Sequence, residues 1–206
     1  MTAPQKQSQN NHRPLNVTQQ ARHRVFVGLG WDPNQKKSLM DRAREILGRT
    51  IKSGHDLDLS CFLYDKSGGF IESVSVHSGR EIDATGHIYH SGDNREGIGE
   101  GDDEQISVEL KDLDANIHHI VFCASIKSAH IFGDIKSPEI RLGDGYSNHT
   151  FLRAPLDQPE GKDKSAFAFA RIYRDGGDGW LIDSLNQFFK NDGPEEKADY
   201  LKKFLG

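Results

Sequence analysis

Asp56-Leu57-Asp58-Leu59-Ser60-Cys61-Phe62-Leu63-Tyr64-Asp65 is the stretch that decides the fold class. Leu57, Leu59, Cys61 and Leu63 occupy alternate positions, with Asp56, Asp58 and Ser60 between them. Successive side chains of a strand point to opposite faces, so a period of two separates an apolar face from a polar one. The expectation is a strand laid on a hydrophobic core. Asp56 and Asp58 then share the polar face, where each raises the other's pKa unless a cation lies between them.

Outward from this stretch the same kind of segment recurs. Residues 24–29, 70–76, 86–90, 105–110, 118–126, 139–142, 149–152, 165–173 and 180–185 all read as strands. Lys66-Ser67-Gly68-Gly69, Asp144-Gly145 and Asp175-Gly176-Gly177-Asp178-Gly179 are turn sequences between them. Many short strands joined by glycine-rich turns predict a mainly β fold, a two-sheet β-sandwich. Two helices are predicted within it. An inserted helix at about 38–48 opens on Ser38-x-x-Asp41, carries Leu39, Met40, Ala43, Ile46 and Leu47 as one stripe, and stops at Gly48. A C-terminal helix at about 194–205 has Pro194 in its first turn and Ala198, Leu201 and Leu205 on its apolar face.

Hydrophobic residues make up 35% of the 206, and 21 glycines bring the chain near the usual globular share, enough for the core of one domain. A mean hydropathy of −0.67 and the lack of a long apolar run exclude a membrane span, which needs about 20 apolar residues. The first residues, MTAPQKQSQNNHRP, hold no apolar segment of a secretory signal. Cys61 and Cys123 are too few for a disulfide framework and sit in apolar strands, so they read as core thiols in a reducing, cytoplasmic protein.

The net charge of −5 is unevenly distributed. Residues 1–24 hold Lys6, Arg13, Arg22 and Arg24 and no acid, and residues 1–22 read as a disordered polar and basic tail ahead of a domain at 23–206. The acids gather in Gly92-Asp93-Asn94-Arg95-Glu96-Gly97-Ile98-Gly99-Glu100-Gly101-Asp102-Asp103-Glu104. Glycine lets such a segment turn its carbonyls inward, and dense carboxylate and carbonyl oxygens suit Ca²⁺, which takes 6–8 oxygen ligands. The segment is no EF-hand. Counted from Asp93, Arg95 and Gly97 stand where oxygen side chains belong and Ile98 stands where glycine belongs. Asp32, Asp56 and Asp58 are further acidic points, and Glu104 is in phase with Ile106, Val108 and Leu110. One site at an end of the sandwich would serve all of them.

These motifs together resemble the tellurium-resistance TerD family of bacterial stress proteins. Gly28-Leu29-Gly30-Trp31-Asp32, Asp56-Leu57-Asp58-Leu59-Ser60, His90-Ser91-Gly92-Asp93-Asn94 and Gly101-Asp102-Asp103-Glu104 are similar to family segments in the same order. Ile120-Val121-Phe122 and Ile172-Tyr173-Arg174 fit later strands, and the long stretch between Asp32 and Asp56 resembles the TerZ branch. Glu96 departs from the family's usual threonine. The resemblance implies a β-sandwich that binds two Ca²⁺ through Asp32, Asp56, Asp58, Asp93, Asn94, Glu100, Asp102, Asp103 and Glu104. It further implies a non-enzymatic interaction module, with other Ter-type stress proteins as partners and a cytoplasmic or membrane-peripheral position. The competing reading is a metal-dependent hydrolase.

Other chemistries fare worse. His87 and His90 are three apart on a strand and point to opposite faces, and His118 and His119 are adjacent, so zinc is not expected and these histidines read as surface or loop residues. Gly28-Leu29-Gly30 runs into Trp31-Asp32-Pro33 rather than a helix, and no P-loop is present, so neither a nucleotide nor nucleic acid is an expected partner.

Overall fold

The computed structural model describes residues 12–32, 57–76, 78–92, 101–126, 131–190 and 193–206. The strands are β1 (Arg13–Pro14), β2 (Arg24–Asp32), β3 (Leu57–Tyr64), β4 (Phe70–Val74), β5 (Ile88–His90), β6 (Glu104–Glu109), β7 (His119–Ile126), β8 (Lys136–Asp144), β9 (Thr150–Pro155), β10 (Ala166–Arg174) and β11 (Trp180–Phe189). One sheet has the order β1-β11-β10-β7-β3-β4 and the other β5-β6-β2-β8-β9. Every pairing between these strands is antiparallel. The ten expected strands are all present as β2–β11. The expected helix at 38–48 lies outside the described residues.

The main core lies between the sheets. Val25, Val27 and Leu29 of β2 and Ile106 and Val108 of β6 pack with Leu57, Leu59, Cys61 and Leu63 of β3 and Ile120 and Phe122 of β7. The apolar row that predicted β3 is therefore the row that faces the second sheet. The other face of β3 is not a solvent face. All eight residues of β3 are buried, because α1 (Pro194–Leu201) lies over the outside of the first sheet. Phe62, Tyr64, Val121, Cys123, Ala166, Ala168 and Phe189 form a second cluster there with Ala198 and Leu201 of α1. The Tyr64 hydroxyl donates to the Ala198 carbonyl at 2.8 Å. Ala166 and Ala168 are small, so the helix can approach the sheet closely. A bulge in β10 between Ala168 and Ala170 then shifts the alternation. Phe167 and Phe169 face the main core before it, Ala170 and Ile172 after it. Both cysteines are fully buried, and burial raises both thiols, Cys123 to about 11.

Of the tail expected at 1–22, residues 1–11 lie outside the described residues. Residues 12–22 belong to the sandwich. Arg13 and Pro14 pair with Ile182 and Leu181 of β11, and the Leu15 N–H donates to the Trp180 carbonyl at 2.8 Å. Leu15 is buried in the main core. Arg13 reaches the Phe151 carbonyl of β9, and the Thr18 N–H donates to Asp144 at 2.6 Å. The segment thus straps the open side between β11 of one sheet and β9 of the other. Polar composition hid this because the strap holds on mainly through its backbone and one leucine.

The outer face of the first sheet also carries a buried polar group. Arg171 and Asp183 pair there, the Arg171 guanidinium lies 4.1 Å from the Tyr173 ring centre, and His119 stacks on the same ring. His119 was expected at the surface and is buried instead. Burial, with the charges of Arg171 and His118, lowers its pKa from 6.5 to about 4. A base whose folded pKa lies below its unfolded value makes the unfolded state bind more protons between the two. Stability from a neutral His119 is therefore complete above about pH 6.5 and lost as pH falls toward 4. In His119→Phe, which keeps the stack on Tyr173, the plot of melting temperature against pH should be flatter across this window than in the wild type. Equal slopes would show that His119 does not titrate on unfolding.

Candidate functional site

The acidic motifs meet where β2 ends and β6 begins. Leu29 pairs with Glu104. Beyond that pair the Asp103 N–H donates to the Leu29 carbonyl at 2.8 Å, and the Trp31 N–H donates to Asp103 Oδ2 at 2.9 Å. Asp103 thereby ties the acidic segment to the Gly28–Asp32 motif. Burial raises its pKa, with the charges of Asp102 and Asp32 adding to the effect and the Trp31 N–H opposing it.

Asp102 folds back over β2. Its two oxygens accept from Arg141, Oδ1 from Nε at 2.9 Å and Oδ2 from Nη2 at 2.7 Å, and Arg141 also packs over the Phe26 ring. The carboxylate lies so close to β2 that a Cβ on Gly28 would stand 2.2 Å from Asp102 Cγ, and one on Gly30 would stand 2.9 Å from the Gly101 carbonyl oxygen. Both glycines of Gly28-Leu29-Gly30 are thus required by the acidic segment resting on them. Gly28→Ala should lower stability by about 1–3 kcal/mol through overpacking, read as a fall of several degrees in melting temperature. The cost should largely vanish in an Asp102→Gly background. A cost that survives there would place the cause elsewhere.

Asp32 closes β2 with a half-exposed side chain 3.1 Å from Lys136 Nζ. Lys136, then Ser137, hold its carboxyl below the usual range. Gly30, Trp31, Asp32, Asp102, Arg141 and Arg153 help line an open cleft of about 690 Å³ on the outside of the second sheet.

Glu104 takes the opposite direction. It points between the sheets in phase with Ile106 and Val108, as its position predicted, and is 1% exposed. Its Oε2 accepts from the Leu59 N–H at 2.8 Å and lies 3.3 Å from His90 Nε2. Glu104 therefore links the two sheets at the end where Leu57 begins β3. Asp58 is buried on the side of β3 shared with Ser60 and Phe62, away from the inter-sheet core.

Of the nine residues expected to bind cations, Asp32, Asp102 and Asp103 are brought to one rim. Glu104 lies inside that rim and Asp58 at the same end on another face. Asp56, Asp93, Asn94 and Glu100 lie outside the described residues. Among the described residues, no three His, Cys, Asp or Glu side chains are arranged to hold a metal ion. The donors are all hard oxygens, which suits Ca²⁺ chemically, but Asp102 would have to share its carboxylate with Arg141. Arg141 and Lys136 were not singled out from sequence. Arg141 meets Asp102 across 39 residues, and no local pattern announces such a partner. His90 was placed at the surface, and the structure buries it.

The TerD domain family model matches residues 6–192. The chain is 34% identical over 131 residues to the tellurium resistance protein TerZ of Serratia marcescens, an alignment that covers 63% of this chain and 64% of that protein. It is 31% identical over 186 residues to TerX of the same organism, covering 82% and 85%. General stress protein 16U of Bacillus subtilis (strain 168) is 28% identical over 193 residues, covering 90% and 91%. A crystal structure of a homologue of the telluride resistance protein TerD from Streptomyces coelicolor A3(2) superposes with a TM-score of 0.67 at 22% identity, over 85% of this chain and 94% of that one.

Proposed function

The chain belongs to the TerD family of tellurium-resistance and general stress proteins, and from that premise we propose that it is a calcium-loaded interaction module rather than an enzyme. The observation that carries the reading is the knot of Leu29, Trp31 and Asp103. It draws Asp32, Asp102 and Asp103, acids from two motifs far apart in sequence, onto one rim, where the charges of Asp102 and Asp32 still act on the part-buried Asp103 beside Arg141 and Lys136. Two Ca²⁺ are proposed, held by Asp32, Asp56, Asp58, Asp93, Asn94, Glu100, Asp102, Asp103 and Glu104, with carbonyls and water completing 6–8 oxygens each. Bound, they would neutralise the rim. Mg²⁺ fits less well, since it keeps its waters and prefers one or two carboxylates.

The module would act in the cytoplasm or at a membrane periphery, with other Ter-type stress proteins as partners. No described helix is long and apolar enough to cross a membrane. Isothermal titration should give two calcium ions per chain, and Asp103→Asn should weaken binding about tenfold or more by removing a carboxylate. A pull-down with and without calcium should retain Ter-type proteins only with calcium. Absence of binding at millimolar calcium would sink the calcium reading, and identical partner lists would make the ion structural.

A further inference from the structure

Among the described residues the large hydrophobic side chains that stand exposed are Phe70, Ile71 and Ile82, at 44%, 40% and 57%. Single exposed apolar residues are ordinary, but a group of them gathered in one short stretch marks a surface. Phe70 and Ile71 begin β4, the last strand of its sheet. Ile82 lies on the segment that returns beside β4, between Arg80, bridged to Ser75, and Ala84, whose N–H donates to Glu72 Oε1 at 3.0 Å. Glu72 pairs with Leu63 and Phe70 with Tyr64, so Ile71 between them is the extra residue of a bulge.

Ile71 lines a pocket of about 250 Å³ together with Ala84 and Ile117. The carboxylates of Asp65, Glu72 and Asp114 line the same pocket, and no lysine, arginine or histidine does. Asp65 Oδ1 accepts from the Ser67 and Gly69 N–H groups, both at 2.8 Å, and Asp114 Oδ1 accepts from the Asn116 N–H at 2.8 Å. Glu72 already holds a guanidinium, since its Oε2 accepts from Arg80 Nη1 at 2.6 Å. An apolar floor under carboxylates with no base among them suits a long cationic side chain. Its stem would lie on Ile71 and Ile117 and its head would meet Asp65 and Asp114. A second copy of this chain suits the surface poorly. A two-fold contact would set these carboxylates against their own copies, and the bulge and the Glu72–Arg80 pair blunt the edge against extension of the sheet.

We propose that this pocket and the apolar surface around it dock a segment of a partner protein that carries an arginine flanked by apolar residues. The inference rests on the interaction-module reading, to which it gives a surface, but it does not rest on calcium. Asp65 follows the last residue of β3, about 25 Å along the strand from Leu57 and the acidic rim.

The probe is a fluorescein-labelled peptide of alternating valine and arginine, titrated with the full chain in EDTA, with a valine–glutamate peptide as its counterpart. The arginine peptide should bind at least about tenfold more tightly than the glutamate peptide and should shift the amide signals of Ile71, Ala84 and Asn116. Ile71→Ser, a change at an exposed position, should weaken it about tenfold. Asp114→Asn keeps an oxygen for the Asn116 N–H and loses the charge, and should weaken it about threefold. Asp178→Asn, at an exposed acid in another loop, should leave the affinity unchanged. Equal binding of the two peptides would overturn the proposal, as would the same affinity in Ile71→Ser and the wild type, or equal losses in Asp114→Asn and Asp178→Asn. Self-association in sedimentation that Ile71→Ser abolishes would assign the surface to a second copy and overturn it as well. If the calcium-dependent pull-down retains its partners while the arginine peptide fails to bind, the module reading stands and this docking surface falls. If the arginine peptide binds as described while the chain takes up no calcium, the docking surface stands and the calcium reading falls.

Discussion

Calcium at 100 times its dissociation constant should stabilise the chain by about 5 kcal/mol if two ions bind the folded state alone, since each site contributes about 2.7 kcal/mol. At about 2–4 °C per kcal/mol for a chain of this size, the melting temperature should rise by roughly 10–20 °C over an EDTA-treated sample. The physical source is the rim where Asp32, Asp102 and Asp103 meet, with the charges of Asp32 and Asp102 both acting to raise the pKa of Asp103. Magnesium at the same concentration should give a much smaller rise. Calorimetry with each ion decides the matter. A shift of less than about 2 °C at millimolar calcium would remove the cation from the reading and leave Arg141 and Lys136 as the partners that neutralise Asp102 and Asp32.

The second large effect lies on the far side of the molecule. Arg171 and Asp183 pair across β10 and β11 with side chains 4% and 8% exposed, and His12 Nδ1 approaches the other Asp183 oxygen at 2.9 Å. Asp183→Ala leaves a buried guanidinium without its counter-charge, which should cost about 3–5 kcal/mol and about 10 °C or more in melting temperature. Replacing both partners, as Arg171→Met with Asp183→Leu, removes the charge along with its partner and should recover most of that loss. Chemical denaturation of the three proteins makes the comparison. If the double variant is as unstable as Asp183→Ala, the pair stabilises the fold on balance and does more than compensate its own burial.

The strands were legible because their signal is local. Period-two alternation at Leu57, Leu59, Cys61 and Leu63 and glycine-rich turns such as Lys66-Ser67-Gly68-Gly69 need no knowledge of the rest of the chain. The C-terminal helix was legible for the same reason, from Pro194, Ala198 and Leu201. β1 was not. Arg13 and Pro14 carry no alternation, and their pairing with Ile182 and Leu181 exists only because β11 presents an open edge. The inward turn of Glu104 could be read from its phase with Ile106 and Val108. The burial of His90 could not, since it depends on the pairing of β5 with β6, which sets His90 opposite Ile106.

What the sequence determined by itself was the two-sheet β class, the family and the chemical character of the acids. Backbone periodicity and side-chain chemistry are properties of short segments. What only the tertiary structure decided was which groups those acids meet. Asp102 goes to Arg141 on the outer face, Asp103 to the Trp31 backbone at the rim, and Glu104 to Leu59 and His90 inside. Three consecutive acids acquire three different environments because Asp102 and Asp103 precede β6 and Glu104 is its first residue, so each turns to a different side. Strand register between distant segments sets the partner waiting there.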